Sequence, residues 1–205
     1  MTRRLRPPAL FWCVALLWLA CRGAAPAFDT VVIDPGHGGY NMGQGSGTVY
    51  EKWLTLDVSF RLERYLKSNG VRTILTRRND AFVGLEDRVQ TAVRAGKDAI
   101  FVSVHFNGSS NSGANGLETY YYSRPGYELA AYIHRRIVPA LKGQNRGLKF
   151  GSYHVIRRAP VAAALVEGGF VTNPAERARM CTGPYRQALA EAIGRGILDY
   201  KKASR

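Results

Sequence analysis

Hydrophobic positions along the chain alternate between two periods. Short apolar or β-branched runs, TVVI at 30–33, VRTILT at 71–76, AIFVSVHF at 99–106, LETYYY at 117–122 and AAALV at 162–166, read as strands. Other segments carry helical spacing. Leu54, Val58, Leu62, Tyr65 and Leu66 line one face of residues 51–69, and Gly70 follows as a stop. Residues 85–95 read as a helix closed by Gly96, and residues 128–138 as one that Pro139 should end or kink. Over 185–200, Leu189, Ile193, Ile197 and Tyr200 share a face, although Gly194 and Gly196 weaken this helix by about 1 kcal/mol each relative to alanine. The run NGSSNSGANG at 107–116 is loop by composition. Strands alternating with helices predict a three-layer α/β fold: a central, mostly parallel mixed sheet flanked by helices. Ligands in such sheets bind beyond the carboxyl ends of the strands.

The first 27 residues stand outside this alternation. Arg3, Arg4 and Arg6 precede an apolar run from Ala9 to Ala20, and small residues ending in Ala25-Pro26-Ala27 follow. That is the layout of a secretory signal peptide, and the run falls short of the roughly 20 residues a transmembrane helix needs. We therefore divide the chain into a signal peptide, 1–27, and one exported domain, 28–205. Leu19-Ala20-Cys21 resembles part of a lipidation motif, with Trp18 fitting it poorly. With Cys13 and Cys21 in or beside the signal, Cys181 is left without an internal disulfide partner.

The 205 residues suffice for one domain with its own core, and 46% apolar with 21% charged residues is a globular composition. The net charge is +14, and +10 without Arg3, Arg4, Arg6 and Arg22. Such a balance favours an anionic partner, a cell wall or membrane surface for an exported protein. No interleaved basic and aromatic motif points to nucleic acid, and nothing after residue 30 is long and apolar enough to span a bilayer.

Polar residues sit where three predicted strands end. His37 follows the first in IDPGHGG, His105 lies in AIFVSVHF, and Glu167 in ALVEGGF. Parallel strands would bring these ends to one sheet edge, and Glu51, at the start of the following helix, can reach the same edge. Each residue also has a plain structural reading: a turn histidine at 37, an acid favoured by the helix dipole at 51, a hydrogen-bonded core histidine at 105. Glu167 resists one, because a buried unpaired carboxylate is costly. Together, two histidines and a carboxylate with an open fourth position make a hydrolytic zinc site, and a second carboxylate supplies a general base. Gly36, Gly38 and Gly39, and Gly168 and Gly169, would let the backbone crowd a metal or substrate. His134 and His154 are not read as ligands. His134 sits beside Arg135 and Arg136 on a helix and looks solvated, and His154 in GSYHVIRR is at most a substrate neighbour.

IDPGHGG, the glutamate of YEKWLTLDVSFRL, LTRRND, SVHFN and LVEGGFVTNPAE occur in that order. In this the chain resembles the zinc-dependent N-acetylmuramoyl-L-alanine amidases of the bacterial cell wall, the type-3 amidases, from about Val31 to its C-terminus. The resemblance implies a mixed α/β sandwich and peptidoglycan as substrate, cut between the lactyl group of N-acetylmuramic acid and L-alanine. It implies His37, Glu51 and His105 as Zn2+ ligands and Glu167 as general base and acid. Asn107 would contact substrate or fix the site, and Arg88 would pair inside the fold. Ala92-Val93 and Asp98-Ala99 depart from the family's usual Ala-Asn and Ala-Asp, away from these residues. The loop at 107–116 is too short for the inserted helix that blocks the zinc in some members. A zinc endopeptidase of the stem peptide and a non-catalytic wall-binding module remain as alternatives.

Overall fold

The computed structural model describes residues 28–204; the signal-peptide reading and the lipidation of Cys21 lie outside these residues. In chain order the elements are β1 (Thr30–Pro35), β2 (Gly45–Ser46), β3 (Val49–Tyr50), α1 (Glu51–Ser68), β4 (Arg72–Leu75), α2 (Leu85–Ala95), β5 (Ala99–Asn107), β6 (Leu117–Tyr121), α3 (Arg124–Leu141), β7 (Asn145–Phe150), α4 (His154–Arg158), β8 (Ala162–Phe170), α5 (Pro174–Met180) and α6 (Gly183–Ala203). Among the described residues no helix is long and apolar enough to cross a membrane, and Cys181 is free and exposed.

Six strands form one sheet in the order β4-β1-β5-β8-β6-β7. β4, β1, β5 and β8 run parallel, while β6 pairs antiparallel with β8 and carries β7 parallel to itself. The sheet is mixed and mostly parallel, as the alternation predicts. The inner strands are apolar on both faces because helices cover both. Val31, Ile33, Val102, Val104, Ala164 and Val166 face α1, α3 and α6. Val32, Phe101, Ala163 and Leu165 face α2 and α4. By the same alternation, Asp34, His105 and Glu167 all lie on the α2/α4 side, at the carboxyl ends of adjacent strands.

Two expectations from the sequence change. Pro139 does not end its helix: α3 runs on to Leu141 and closes with Lys142 in the left-handed region donating to Val138 O. Only the last turn forgoes a bond there. Gly194 and Gly196 do more than weaken α6. A Cβ at 196 would lie 2.5 Å from Ile133 Cα and one at 194 would lie 2.3 Å from the Tyr65 ring, so both glycines let α6 close against α3 and α1. β7, NRGLKF, was not predicted. It is an edge strand, half exposed, with no apolar run to announce it.

Candidate active site

The loop after β1 is held by its carbonyl oxygens. Arg77 donates from Nε to Pro35 O at 3.0 Å and from Nη2 to Gly36 O at 2.9 Å. Arg88 reaches Pro35 O and His37 O, each at 2.7 Å, and Lys52 Nζ reaches Gly39 O at 2.8 Å. Burial, and next the charge of Arg88, lower Arg77 to about 10, so it stays charged at neutral pH. This grip holds His37 at φ 63°, a left-handed conformation that costs a residue with a side chain about 1–3 kcal/mol. Arg88 is answered by Asp34, 2.7 Å away and 1% exposed, which also accepts from Thr76 and Ser103. Burial opposes ionisation of Asp34, and Arg88 with these hydroxyls overcomes it. Asp34→Ala would strand the buried guanidinium and is expected to lower unfolding free energy by about 3–5 kcal/mol, read from urea titrations at unchanged slope.

His37 is set by its second nitrogen. Asn41 Oδ1 also accepts from Gly43 N, so it is the acceptor at 2.8 Å from His37 Nδ1. Nδ1 therefore carries a proton for Asn41, and Nε2, which donates to Glu51 Oε2 at 3.0 Å in the empty site, is the nitrogen that would turn to a metal on losing its own proton. Glu51 opens α1, but its carboxylate serves the site rather than its own helix. Oε2 accepts from Gln44 N at 2.8 Å, and Oε1 accepts from Phe106 N at 2.9 Å and lies 2.8 Å from His105 Nδ1. Burial would raise Glu51, yet the hydrogen bonds from His105 and His37 hold it well below the usual carboxylate range. One donor atom from each of His37, Glu51 and His105 lies within 4.8 Å of the others. Tetrahedral bonds of about 2.0–2.2 Å put donors roughly 3.4 Å apart, so this donor set fits zinc.

Glu167 stands beside this cluster, its backbone in register with His105 on one side and Glu118 on the other. It is 8% exposed, and its Oε2 has no hydrogen-bond partner. Burial first, then the charges of Glu51 and Glu118, push its carboxyl well above the ordinary range. Glu118 is saturated instead: it accepts from Arg146 at 2.5 Å, Lys149 at 2.6 Å, Tyr120 at 2.7 Å and Asn107 at 3.0 Å. A cleft of about 570 Å3 joins His37, Glu51, His105, Asn107 and Glu167.

Other sequence readings fare unevenly. His134 is buried, not solvated: Thr119 lies 3.0 Å from Nδ1 and Asn145 2.8 Å from Nε2. Arg135 and Arg136 follow it in sequence but point off other faces of the helix. His154 lines the cleft and pairs with Glu86 at 3.1 Å, apart from the three donors. Of the glycines, Gly36 touches the site, where a Cβ would lie 2.3 Å from His105 Cε1. Gly38 and Gly39 make room for Ala81 and Phe82, and Gly168 and Gly169 for Leu189 and Met180, rather than for a ligand. Glu118, Asn41 and Arg77 were missed. The one available signal was an acid inside the strand run LETYYY. Glu176, also missed, ties the loops together by accepting from Gly116 N at 3.0 Å and Phe170 N at 2.7 Å.

Residues 31–199 match the family described as N-acetylmuramoyl-L-alanine amidase. The chain is 33% identical over 176 residues to the N-acetylmuramoyl-L-alanine amidase LytC of Bacillus subtilis, covering 84% of this chain but 35% of that relative's length. Among solved structures it is similar to the catalytic domain of the amidase CwlV from Bacillus (Paenibacillus) polymyxa var. colistinus, with a TM-score of 0.82, 34% identity, and coverage of 86% of this chain and 99% of that one. It is also similar to the amidase AmiC2 of Nostoc punctiforme, with a TM-score of 0.80, 40% identity, and coverage of 84% and 97%. A matched region that takes in β1 through most of α6, with every residue of the cleft inside it, establishes that the chain belongs to the N-acetylmuramoyl-L-alanine amidase family.

Proposed function

We propose that this chain is a zinc-dependent cell-wall hydrolase that cleaves the amide between N-acetylmuramic acid and L-alanine of the peptidoglycan stem peptide. The observation that carries the reading is the meeting of three clustered donors, His37, Glu51 and His105, with the otherwise unpartnered carboxylate of Glu167 in one cleft. In this reading residues 1–27 are the export signal, residues 28–205 the catalytic domain, and the basic surface adds affinity for the wall.

His37 Nε2, Glu51 and His105 would hold the ion. Bound there, zinc supplies a Lewis acid and lowers the pKa of a coordinated water to about 7. Glu167 does the proton work. Its carboxylate takes a proton from water as the carbonyl is attacked, and returns it to the departing L-alanine nitrogen. Asn41 keeps the His37 proton on Nδ1, and Arg88 with Arg77 keeps the loop from relaxing. Asn107 faces the cleft while bonded to Glu118, so it steadies that carboxylate beside the substrate path.

The test is incubation with purified peptidoglycan, with and without a chelator, followed by mass spectrometry of the soluble products. Intact stem peptides beginning at L-alanine, lost on chelation and restored by zinc, are expected. Shorter peptides would replace the amidase reading with an endopeptidase, and sedimentation with the wall without products would replace it with a binding module.

A further inference from the structure

We propose that Tyr40 and Phe82 form a stacking platform for a pyranose ring of the wall glycan, so that the sugar chain crosses the β4–β1 end of the cleft and the stem peptide runs toward the β6–β7 end. The proposal rests on the amidase reading and extends it to the direction in which substrate lies.

The sheet order lays the site out as a line. The loops after β1 and β4 carry Tyr40 and Phe82. Next come His37, on the loop after β1, and His105 on β5, then Glu167 on β8, Glu118 on β6, and Arg146 and Lys149 on β7. At the first end, the Tyr40 and Phe82 rings stack at 4.3 Å and 22°. They are 78% and 44% exposed, and Phe82 lines the cleft. Single exposed aromatics are ordinary on a protein surface. Two stacked rings at the lip of the cleft, with Tyr40 three residues from a proposed metal ligand, have no packing role that accounts for their exposure.

Their backbone is fixed. Asp80 accepts from Gly39 N at 2.9 Å and from Lys52 Nζ at 2.7 Å, and a Cβ at Gly39 would lie 2.7 Å from Phe82 N. The rings are thus presented in place, which reduces the ordering cost of binding. Charge separates the two ends. Beside the rings the cations are buried and committed: Lys52 pairs with Asp80, Arg88 with Asp34, and Arg77 is spent on the carbonyl oxygens of the loop after β1. At the far end Arg146 and Lys149 outnumber the carboxylate of Glu118 that they share. An amide substrate of this class has two unlike halves. Its acyl half is a sugar, whose C–H faces stack on aromatic rings and which needs no cation. Its amine half is a peptide ending in a carboxylate, which does.

Peptide-free oligomers of alternating N-acetylglucosamine and N-acetylmuramic acid, titrated into the protein by calorimetry, test the platform without turnover. Tyr40→Ala and Phe82→Ala are each expected to weaken binding about tenfold, and Tyr40→Phe to preserve it. On intact wall both alanine variants should raise KM with kcat kept, while cleavage of a sugar-free N-lactoyl peptide stays at the wild-type rate. Undiminished glycan affinity in the alanine variants, no affinity in the wild type, or an equal KM rise on the sugar-free substrate overturns the platform. A wild-type protein that releases no stem peptide but binds glycan through these rings would overturn the amidase reading and leave the platform standing.

Discussion

Glu167→Gln is expected to slow release of stem peptides by about 10²–10⁴-fold while the protein keeps one zinc per chain, measured by metal analysis of the purified variant alongside turnover on peptidoglycan. The substitution preserves shape and removes the proton acceptor. Glu167 touches none of the three donors through a hydrogen bond, and its Oε2 is without a partner, so metal loading should not depend on it. The electrostatics point the same way. Burial above all, then the charges of Glu51 and Glu118, push the Glu167 carboxyl well above its ordinary range. A cation taken by Glu51 cancels one of these repelling charges and brings Glu167 down toward the range a general base needs. Turnover in Glu167→Gln within a few-fold of wild type, at full metal content, would remove it from the mechanism.

Gly36→Ala should act in the opposite order, on the metal first. The His105 ring lies flat against Gly36, with Cε1, Nε2 and Nδ1 all within 2.7 Å of where a Cβ would stand. The backbone cannot yield, because Gly36 N donates to Val104 O and Gly36 O accepts from Thr55 and Arg77. His105 must therefore swing away from Glu51. Loss of one oriented ligand is expected to cut zinc affinity about 100-fold, with activity falling in step and recovering partly at high zinc. Overpacking should cost about 1–3 kcal/mol of stability, which leaves the fold in place and separates this variant from Asp34→Ala. Wild-type zinc affinity, by competition with a chromogenic chelator, would show that His105 has another place to go.

The inner strands and long helices were legible because both faces of the sheet are covered, so the apolar runs at β1, β5 and β8 are continuous and those of α1 and α6 periodic. The strand ends alone located His37, His105 and Glu167, since topology follows from alternation and the site from topology. What stayed hidden depends on non-local partners or on shortness. β7 is an edge strand whose polar residues answer Glu118 from 28 and 31 positions away. β2 and β3 have two residues each and α4 five, too few for a period. Arg77 drew no reading of its own inside LTRRND, because nothing in sequence reveals that its partners are the carbonyls of another loop. His134 was misread from its neighbours in sequence, when the relevant neighbours are those one turn away and on the facing strand.

The position of β8 has a consequence for how the chain folds. It is the last strand to appear in sequence, yet it sits between β5 and β6, near the middle of the sheet. Until residues 162–170 dock there, β6 and β7 have no path into the sheet, and the edge of β5 stays open. Pairings of such long sequence separation close slowly and leave strand edges free to aggregate in the meantime. Glu167, the proposed base, arrives with that strand, so an incomplete chain can bring His37, Glu51 and His105 together without the second carboxylate of the cleft. The cleft is whole only after the step that completes the sheet.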